Sequence, residues 1–299
     1  MSILLAADFD AAEWAAWLPA LQQALPGETL CRGADRPDGD GVDIAIVANP
    51  PVGALQGLPQ LKLVQSLWAG VDKLLRDPTL PTGVPLARMV DPAMNAAMAE
   101  TALWAALALQ RGFFDYARQQ RAGVWRQHGQ RRAGETQVAV LGLGQMGQAV
   151  AARLAQQGFV VSGWSSRSGP VDAVLGDADI VISLLPLTPT TTGFFDRERF
   201  AQMRRGASFV NLARGAQVVE ADLLSALDDG QLAHAVLDVF ATEPLPAEHP
   251  FWQHPKVTVL PHVAAQTDPR SAAQVVAANI RALRSGKPLQ HLVDRTRGY

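Results

Sequence analysis

Short apolar runs alternate along this chain with segments whose apolar residues recur at helical spacing. Such runs predict buried strands, and in the N-terminal third they are Ile3–Ala7, Val42–Ala48, Leu63–Leu67 and Pro85–Met89. Between the first two runs, Ala11–Ala24 carries its apolar side chains on one face of a helix. Strands that alternate with helices indicate parallel βαβ units.

The same alternation continues through the rest of the chain. Further strands are predicted at Val138–Leu141, Val160–Trp164, Asp179–Leu185, Ser208–Leu212, His234–Val239 and Val257–Leu260. Helices are predicted at Gln148–Gln157, Glu220–Asp229 and Pro269–Leu283, and another helix is expected to close at Phe200–Met203. A long helix from Ala93 to about Arg121 has apolar residues on nearly all sides, which is typical of a helix buried between elements or in a subunit contact.

These elements predict an α/β fold class: two doubly wound parallel-sheet domains, Rossmann-like or flavodoxin-like, with a cleft between the domains. We expect the C-terminal helix to return to the first domain, which would then be discontinuous and comprise residues 1–95 and 268–299. The second domain would comprise residues 96–267. A length of 299 residues agrees with two domains.

One stretch of the second domain carries a ligand-binding pattern. Gly142, Gly144 and Gly147 fit G-x-G-x-x-G between a predicted strand and a predicted helix, the context of a dinucleotide-binding turn. Gly142 would allow the sharp turn, Gly144 would let backbone approach a pyrophosphate, and Gly147 would let the helix pack close to the strand. The N-terminus of the helix then offers free N–H groups to the phosphates.

Composition and charge argue against several classes of protein. A net charge of -2 argues against an electrostatic nucleic-acid binder. Cys31 is the single cysteine, which excludes an internal disulfide framework and a multi-cysteine zinc site, and we predict no metal. Ile3–Ala7 lacks the basic flank of a signal peptide, and the apolar stretch Ala96–Leu109 is too short to span a bilayer. We therefore expect a soluble cytoplasmic protein with neither nucleic-acid nor membrane partners.

The residues after the second strand of this domain bear on the choice of dinucleotide. An NAD site carries an acidic residue about 20 positions beyond the first glycine, yet no Asp or Glu occurs between Gln137 and Asp172. Ser165, Ser166 and Arg167 stand there instead, and Arg167 would bind a 2′-phosphate through charge-assisted hydrogen bonds. We predict NADP(H) in preference to NAD(H), the alternative being a solvated loop arginine. The missing acid also argues against a methyltransferase that binds adenosyl-methionine.

Arg214, Glu243 and His262 follow three consecutive predicted strands. Ligands of open α/β sheets bind beyond the carboxyl ends of the strands. A guanidinium can hold a carboxylate or a carbonyl oxygen, a histidine donates protons near neutral pH, and a carboxylate against the other ring nitrogen raises the pKa of that histidine. Taken singly, the three side chains are a surface cation, a solvated acid and a structural histidine, but their joint placement favours a catalytic set.

Several short segments, in this order, resemble a known family. The segments are Leu141–Gly147, Leu184–Thr188, Asn211–Gly215, Leu237–Phe240 with Glu243 and Pro244, and Pro261 with His262. They are similar to the ordered signatures of the D-isomer-specific 2-hydroxyacid dehydrogenases, over nearly the whole chain. Trp164–Ser168 and Val293–Tyr299 resemble more closely the glyoxylate/hydroxypyruvate reductase A branch of that family.

The resemblance implies an NADPH-dependent enzyme that reduces small 2-oxo acids by hydride transfer, glyoxylate to glycolate and hydroxypyruvate to D-glycerate. His262 would donate the proton, Glu243 would support His262, and Arg214 would bind the substrate carboxylate and polarise the carbonyl. The first domain would bind the substrate and the second the dinucleotide. Further residues are implied to bind the substrate (the turn Trp68, Ala69, Gly70 and Val71) or the cofactor (Gln145, Met146, Leu185, Pro186, Thr188, Ala213 and Asp238).

Two positions depart from the family pattern. Trp68 stands where relatives often carry a small residue, and it is either a packing residue or a pocket wall that limits the enzyme to small substrates. Ala264 replaces a common glycine, a minor change. The family also implies a homodimer, in which Trp125 could reach the partner's site. Alternative functions are a dinucleotide-sensing regulator or corepressor on the same fold, and a reductase for a longer 2-oxo acid.

Overall fold

A computed structural model of the chain describes residues 2–33 and 41–299. The chain divides into two compact units, which we call unit 1 (Met1–Ala93 with Thr267–Tyr299) and unit 2 (Met94–Gln266). The strands are β1 (Ser2–Ala7), β2 (Thr29–Arg32), β3 (Val42–Ala48), β4 (Leu63–Ser66), β5 (Leu86–Ala87), β6 (Gln137–Leu141), β7 (Val160–Trp164), β8 (Ile180–Ser183), β9 (Ala207–Asn211), β10 (Leu232–Leu237) and β11 (Val257–Val259). The helices are α1 (Ala11–Ala24), α2 (Asp72–Leu75), α3 (Pro92–Gln110), α4 (Phe113–Arg121), α5 (Gln145–Gln156), α6 (Asp172–Asp177), α7 (Arg197–Gln202), α8 (Glu220–Asp228) and α9 (Pro269–Arg284).

Unit 1 is built on a parallel sheet with the strand order β2-β1-β3-β4-β5. Its central strand β3 is buried over its whole length, as its apolar run, interrupted by Asp43, predicts. Helix α1 begins with a capping box, in which the Asp10 carboxylate accepts from the Glu13 amide and Glu13 accepts from the Asp10 amide. Helix α9 packs beside α1, so that Trp17 and Leu21 share one core cluster with Val276 and Ile280.

Unit 2 is built on a second parallel sheet with the order β11-β10-β9-β8-β6-β7. The chain runs from β6 outward to β7 and then returns to β8 on the other side of β6, so the strand order reverses at β6. In doubly wound sheets this reversal opens a crevice at the carboxyl ends of the strands, where ligands bind. The Gly142–Gly147 turn leaves β6 at that point. Both units therefore confirm the predicted fold class of two doubly wound parallel sheets.

Several predicted elements differ in their bounds. The single helix predicted from Ala93 to Arg121 is wrong: α3 ends at Gln110, and Gly112, with a φ of +66°, turns the chain into α4. A glycine adopts this left-handed conformation without steric cost, so it can break a helical pattern. Helix α5 begins at Gln145, three residues before the predicted start at Gln148, because the end of the glycine turn is already helical. Strand β2 was missed, since it is a short edge strand with exposed ends.

The position of helix α3 in unit 2 explains why its surface is apolar on nearly all sides. Met98, Ala102 and Ala106 are buried in one cluster with Val138 and Val140 of β6. The small side chains of these alanines let α3 pack close to β6.

No helix within residues 2–33 and 41–299 has both the length and the apolar character that crossing a membrane requires.

Candidate active site

The candidate residues of unit 2 lie beyond the carboxyl ends of its strands. All the strand pairs of this sheet are parallel, so these ends share one edge of the sheet. The segments that follow each strand, in chain order, are the glycine turn after β6, Ser165–Gly169 after β7, Leu184–Thr188 after β8, Ala213-Arg214 after β9, Asp238–Glu243 after β10 and His262 after β11. The parallel topology thus collects residues that are widely separated in sequence.

The three fingerprint glycines occupy different environments. Gly142 has a φ of +101°, and a Cβ placed on it would meet the Leu184 carbonyl oxygen at 2.5 Å. A Cβ on Gly147 would lie 1.8 Å from the Gly142 carbonyl oxygen, so the start of α5 packs directly on the turn. A Cβ on Gly144 would meet nothing within 4 Å. Gly142 and Gly147 are therefore needed by the fold itself, whereas Gly144 faces open space that a ligand can enter.

The start of α5 fits a phosphate group. No side chain caps this N-terminus, where Gly144 is the N-cap residue, followed by Gln145, Met146 and Gly147 in the first turn. The first amides of a helix have no partner within the helix and carry its positive dipole end. A dinucleotide pyrophosphate would supply the missing acceptors. The residues present therefore fit the group that the glycine pattern predicts.

The segment after β7 is a closed turn that presents Arg167. The Ser168 amide donates to the Ser165 carbonyl at 2.8 Å, and the Ser165 amide donates to Ser168 Oγ at 3.1 Å. The Ser165 and Ser168 hydroxyls lie 3.0 Å apart. Ser166 and Arg167 are exposed at the tip of the turn, and Arg167 has no hydrogen bond or ion pair with any described residue. A guanidinium and hydroxyls presented in this way suit a phosphomonoester.

Leu184–Thr188, the loop after β8, is held by a buried glutamine. Gln217 is 0% exposed, and its Nε2 donates to the Leu185 and Pro186 carbonyls at 2.9 and 3.0 Å. Thr191 Oγ1 also donates to the Pro186 carbonyl, at 2.7 Å, and accepts from the Thr188 amide at 2.8 Å. The backbone of this loop is therefore fixed before any ligand binds.

Two of the predicted cofactor residues can offer only backbone groups. The side chains of Leu185 and Ala213 are buried, and Leu185 belongs to the core cluster of unit 2. The Ala213 carbonyl accepts from Arg214 Nη1 at 2.7 Å. A ligand that contacts these two positions would therefore meet main-chain atoms.

His262 and Glu243 form the centre of the candidate site. The distance from His262 Nδ1 to Glu243 Oε2 is 2.8 Å, and the other carboxylate oxygen of Glu243 accepts from the Phe240 amide at 2.9 Å. Glu243 is thus fixed by its own loop and in turn fixes the ring of His262. The side chain of His262 is 52% exposed, so its Nε2 is free to meet a substrate.

Asp238 holds the backbone around His262. Its carbonyl accepts from the His262 amide at 2.9 Å, and its carboxylate accepts from the Val263 and Ala264 amides at 2.7 and 3.0 Å. His262 has a φ of +55°, a left-handed conformation that is unfavourable for a residue with a side chain. The hydrogen bonds to Asp238 stabilise this conformation and so aim the ring.

Electrostatics favour a protonated histidine. The hydrogen bond with Glu243 raises the pKa of His262 above its ordinary 6.5, against the weaker opposing effects of burial and of the positive charge of Arg214. Burial pushes the pKa of Glu243 upward, but hydrogen bonds from His262 and from the Phe240 amide outweigh it and hold that pKa below its usual range. Burial raises the pKa of Asp238, although its two amide hydrogen bonds act against this. Both shifts therefore favour an imidazolium beside a carboxylate.

Arg214 is positioned by the end of β9. The side-chain Nδ2 of Asn211 donates to the Arg214 carbonyl at 3.1 Å, and Asn211 Oδ1 accepts from the Ala213 backbone amide at 3.1 Å. Gly215 follows, and a Cβ there would lie 1.8 Å from the Phe240 carbonyl carbon. This contact brings the loops after β9 and β10 together, so the charge of Arg214 acts on both Glu243 and His262.

The candidate substrate turn lies in unit 1, directly after β4. Ser66 Oγ accepts from the Trp68 amide at 3.0 Å and donates to the Trp68 carbonyl at 3.1 Å, which fixes the start of the turn. Among the described residues, the amides of Ala69, Gly70 and Val71 have no hydrogen-bond acceptor. Consecutive free amides of this kind bind anions.

Trp68 itself is partly buried and packs against the apolar core of unit 1. Its ring lies 6.2 Å from that of Phe9 and 6.0 Å from that of Trp17, both in edge-on arrangements. Its Nε1 is buried without a hydrogen-bond partner among the described residues. These contacts support the packing role that was set beside the pocket-wall role.

Comparison with known proteins now decides the family. Residues 103–264 match the model of the D-isomer specific 2-hydroxyacid dehydrogenase, NAD binding domain. The glyoxylate/hydroxypyruvate reductase A of Serratia proteamaculans is 42% identical over 303 residues, covering 95% of this chain and 96% of that protein. The chain belongs to the D-isomer-specific 2-hydroxyacid dehydrogenase family. The predicted resemblance is thereby confirmed.

Solved structures agree with this assignment. The D-isomer specific 2-hydroxyacid dehydrogenase of Xanthobacter autotrophicus Py2, in complex with NADPH and MES, is 38% identical with a TM-score of 0.93, covering 100% of this chain and 99% of that chain. The NADPH-dependent glyoxylate/hydroxypyruvate reductase of Sinorhizobium meliloti, in complex with NADP and sulfate, is 36% identical with a TM-score of 0.93, covering 100% of both chains. Both of these relatives, which share the fold over its whole length, were thus crystallised with the phosphorylated dinucleotide.

Sequence reasoning missed one residue of the site and the supporting role of another. Gln217 was not singled out, although a glutamine inside the apolar stretch Ala216–Val219 is a signal that a buried amide needs partners. The supporting role of Asp238 toward the backbone of His262 was also missed, because a hydrogen bond between residues so far apart in sequence leaves no local pattern. Within the described residues, no group of three or more His, Cys, Asp or Glu side chains is arranged to hold a metal ion.

Proposed function

We propose that this protein reduces small 2-oxo acids with NADPH, glyoxylate to glycolate and hydroxypyruvate to D-glycerate. The observation that carries the proposal is the 2.8 Å contact between His262 and Glu243 at the ligand-binding edge of a dinucleotide-type sheet. Relatives named glyoxylate/hydroxypyruvate reductase A support the substrate class. The family match leaves the methyltransferase alternative without support.

His262 is the proton donor in this proposal. Glu243 engages Nδ1, so the acidic proton is presented on Nε2 toward the carbonyl oxygen of the substrate. As that oxygen gains negative charge, Nε2 gives up its proton and the ring becomes neutral. The hydrogen bond with Glu243 raises the pKa of His262 and so favours the charged, proton-donating ring before this step.

Each unit carries groups that suit the carboxylate of a substrate in this proposal. The guanidinium of Arg214 polarises the carbonyl and pairs with the carboxylate, a role for which its planar donor set is suited. In unit 1, the free amides of Ala69, Gly70 and Val71 are suited to bind an anionic group such as a carboxylate. Unit 1 is accordingly the substrate-binding domain, and unit 2 the dinucleotide-binding domain.

The residues of unit 2 fit NADPH, which supplies the hydride when bound. The amides at the start of α5, from Gln145 and Met146, would hold the pyrophosphate beside Gly144. Ser165, Ser166 and Arg167 would hold the 2′-phosphate. Backbone groups of Leu185, Pro186, Thr188 and Ala213 are assigned to the nicotinamide side, where Asp238 contributes by fixing the chain beside it.

A homodimer is part of the proposal. Trp125 is 95% exposed, and Trp104, Phe113 and Val124 are also exposed apolar residues of unit 2. Large apolar side chains on a surface, aromatic ones above all, are enriched at interfaces between protein chains. Sedimentation of wild type and Trp125→Ser would test this: a dimer in wild type and weaker association of the variant are expected, whereas a wild-type monomer would contradict it.

Trp68 gives a test of substrate size. If its indole walls the substrate pocket, Trp68→Ala should raise kcat/KM for a longer 2-oxo acid relative to glyoxylate. An unchanged ratio, together with a lower denaturation midpoint from the loss of contacts to Phe9 and Trp17, would leave only the packing role.

The experiment that tests the proposed function is steady-state oxidation of NADPH and NADH with glyoxylate, hydroxypyruvate, pyruvate and a longer 2-oxo acid. We expect fast turnover with NADPH and the two small substrates. His262→Gln should lower kcat by about 100-fold or more, the scale of a general acid. Near-normal turnover of this variant would remove His262 from the role, and tight dinucleotide binding without turnover in wild type would favour a regulator instead.

A further inference from the structure

The turn Ser165–Gly169 is anchored to the core of unit 2 by one side chain. Trp164, the last residue of β7, donates a hydrogen bond from its indole Nε1 to the Gly169 carbonyl at 2.9 Å. The donor immediately precedes the turn and the acceptor is its last residue, so this hydrogen bond closes the turn. Ser168 closes it a second time through its bonds to Ser165.

Trp164 is itself held firmly. It is 8% exposed and belongs to the core cluster of unit 2, where its ring lies 6.0 Å from that of Phe194. Its carbonyl accepts from the Gly142 amide at 2.8 Å, which ties it to the glycine turn. One buried residue thus connects the turn that carries Arg167 to the turn that fits the pyrophosphate.

We propose that Trp164 is a positioning residue for the 2′-phosphate of NADPH, acting through the Ser165–Gly169 turn. The inference rests on the proposed function, and specifically on Arg167 as the phosphate contact. A flexible turn would have to be ordered on binding, which costs affinity. The hydrogen bond from the Trp164 indole orders the turn before the dinucleotide binds. Since NADH lacks the 2′-phosphate, the benefit of this order should be confined to NADPH.

The test is Trp164→Phe, which keeps an aromatic ring in the core and removes the indole donor. The preference for NADPH should fall about fivefold, the effect of one neutral hydrogen bond, both in the ratio of the NADH and NADPH dissociation constants from fluorescence titrations and in the ratio of kcat/KM with NADPH to kcat/KM with NADH. Trp252→Phe is the matched control, because Trp252 Nε1 donates to the Pro246 carbonyl at 2.8 Å, away from this turn. The control should keep the wild-type ratio.

A second pair of variants separates positioning from general damage to the fold. Arg167→Ala should remove most of the preference for NADPH, and adding Trp164→Phe to it should lower the ratio no further. A further fall in the double variant would overturn the mechanism, because Trp164 would then act independently of Arg167. Equal losses with NADPH and NADH in Trp164→Phe would overturn it too, since they indicate a purely structural role.

Gly169→Ala provides the same test without a change in the core. Gly169 has a φ of +83°, so a side chain there strains the turn and displaces the acceptor carbonyl. The NADPH to NADH ratio should fall, and an unchanged ratio would contradict the inference. Equal use of the two dinucleotides by wild type would overturn both the inference and the cofactor part of the proposed function, whereas a wild-type preference retained by Trp164→Phe would overturn the inference alone.

Discussion

Two carboxylates near His262 have separate tasks. Asp238 accepts three backbone hydrogen bonds, from His262, Val263 and Ala264, and so fixes the main chain at a left-handed residue. Glu243 accepts from the ring and fixes its rotation and its charge. A general acid must be both correctly oriented and protonated, because the rate depends on the two factors multiplied together.

The pH dependence of reduction follows from the Glu243–His262 pair. His262 must be protonated to donate, so kcat/KM is full below its pKa and falls as the pH rises through it. The hydrogen bond to Glu243 raises that pKa. In Glu243→Gln the raising carboxylate is gone, and the alkaline fall of kcat/KM with glyoxylate should therefore begin at a lower pH than in wild type.

The chain offers a matched control for this shift. His249 Nε2 lies 3.3 Å from Glu220 Oε2, a second His–Glu pair in unit 2 that has no part in the proposed chemistry. Glu220→Gln should keep the wild-type pH profile. If Glu243→Gln kept that profile as well, the titrating group would be another residue and His262 would lose its assigned role.

At this scale the sequence singled out the proposed reactive groups more readily than the residues that support them. Arg214, Glu243 and His262 were predictable because each follows a predicted strand and the topology of parallel sheets is known. Gln217 and the indole of Trp164 were not, because their hydrogen bonds depend on where a side chain points in the folded core. Such directions are set by packing and leave no signal in the spacing of residues.

The glycine turn shows how one element serves both folding and binding. Gly147 packs against the Gly142 carbonyl, while Gly144 faces open space. The two positions should therefore respond differently to the same added methyl group. Gly144 also has a φ of −70°, which an alanine adopts freely.

A pair of alanine variants tests this division. Gly147→Ala should destabilise the protein by about 1–3 kcal/mol in denaturant unfolding without any ligand, the usual cost of overpacking. Gly144→Ala should keep the wild-type stability but weaken NADPH binding in a fluorescence titration, because its Cβ would occupy the approach to the pyrophosphate. Equal dinucleotide affinity in Gly144→Ala and wild type would place the pyrophosphate elsewhere.

The elements themselves were predicted where the pattern is dense. Helix Ala11–Ala24 and strands Val42–Ala48 and Val160–Trp164 have their predicted bounds. The break between α3 and α4 was not predicted, because a glycine inside an apolar helical pattern is usually tolerated, and only its φ of +66° makes Gly112 a break. Edge strand β2 was missed because its four residues are too few and too polar to form a recognisable strand pattern.

For the whole molecule, the same strand order recurs in both units. Unit 1 has β2-β1-β3-β4-β5, and in unit 2 the corresponding order runs from β7 through β6 and β8 to β11. Each unit therefore has a reversal point next to its first strand. Unit 1 is assembled from two distant parts of the chain, and α9 supplies Ala273, Val276 and Ile280 to its core. Its stability must then depend on contacts that close this long loop.

One ion cluster makes such a closure. Arg284, at the end of α9, donates to both carboxylate oxygens of Glu28 at 2.8 Å and to Asp43 Oδ1 at 3.0 Å, and its Nη1 also contacts Asp43 Oδ2. Asp43 is 0% exposed. The hydrogen bond from Arg284 also lowers the pKa of Glu28, against the opposing effect of burial. The cluster thus joins residues near β2, β3 and the C-terminal helix.

Replacing Arg284 by an uncharged residue should show how strongly the buried Asp43 carboxylate destabilises the protein when its partner is missing. Arg284→Met should lower the free energy of unfolding in urea by about 3 kcal/mol, the low end for breaking a buried pair, because Arg284 is partly exposed. Arg270→Met, which breaks an exposed pair with Asp268, should change the free energy of unfolding little.

Glu28 makes the stability depend on pH. Its contribution to the free energy of unfolding is present above the unfolded pKa of about 4.3 and is lost as the pH falls through the lower folded value. Glu28→Gln should therefore be less stable than wild type at neutral pH and approach it in acid. A deficit that persists unchanged in acid would show that Glu28 stabilises unit 1 by packing, without a contribution from its charge.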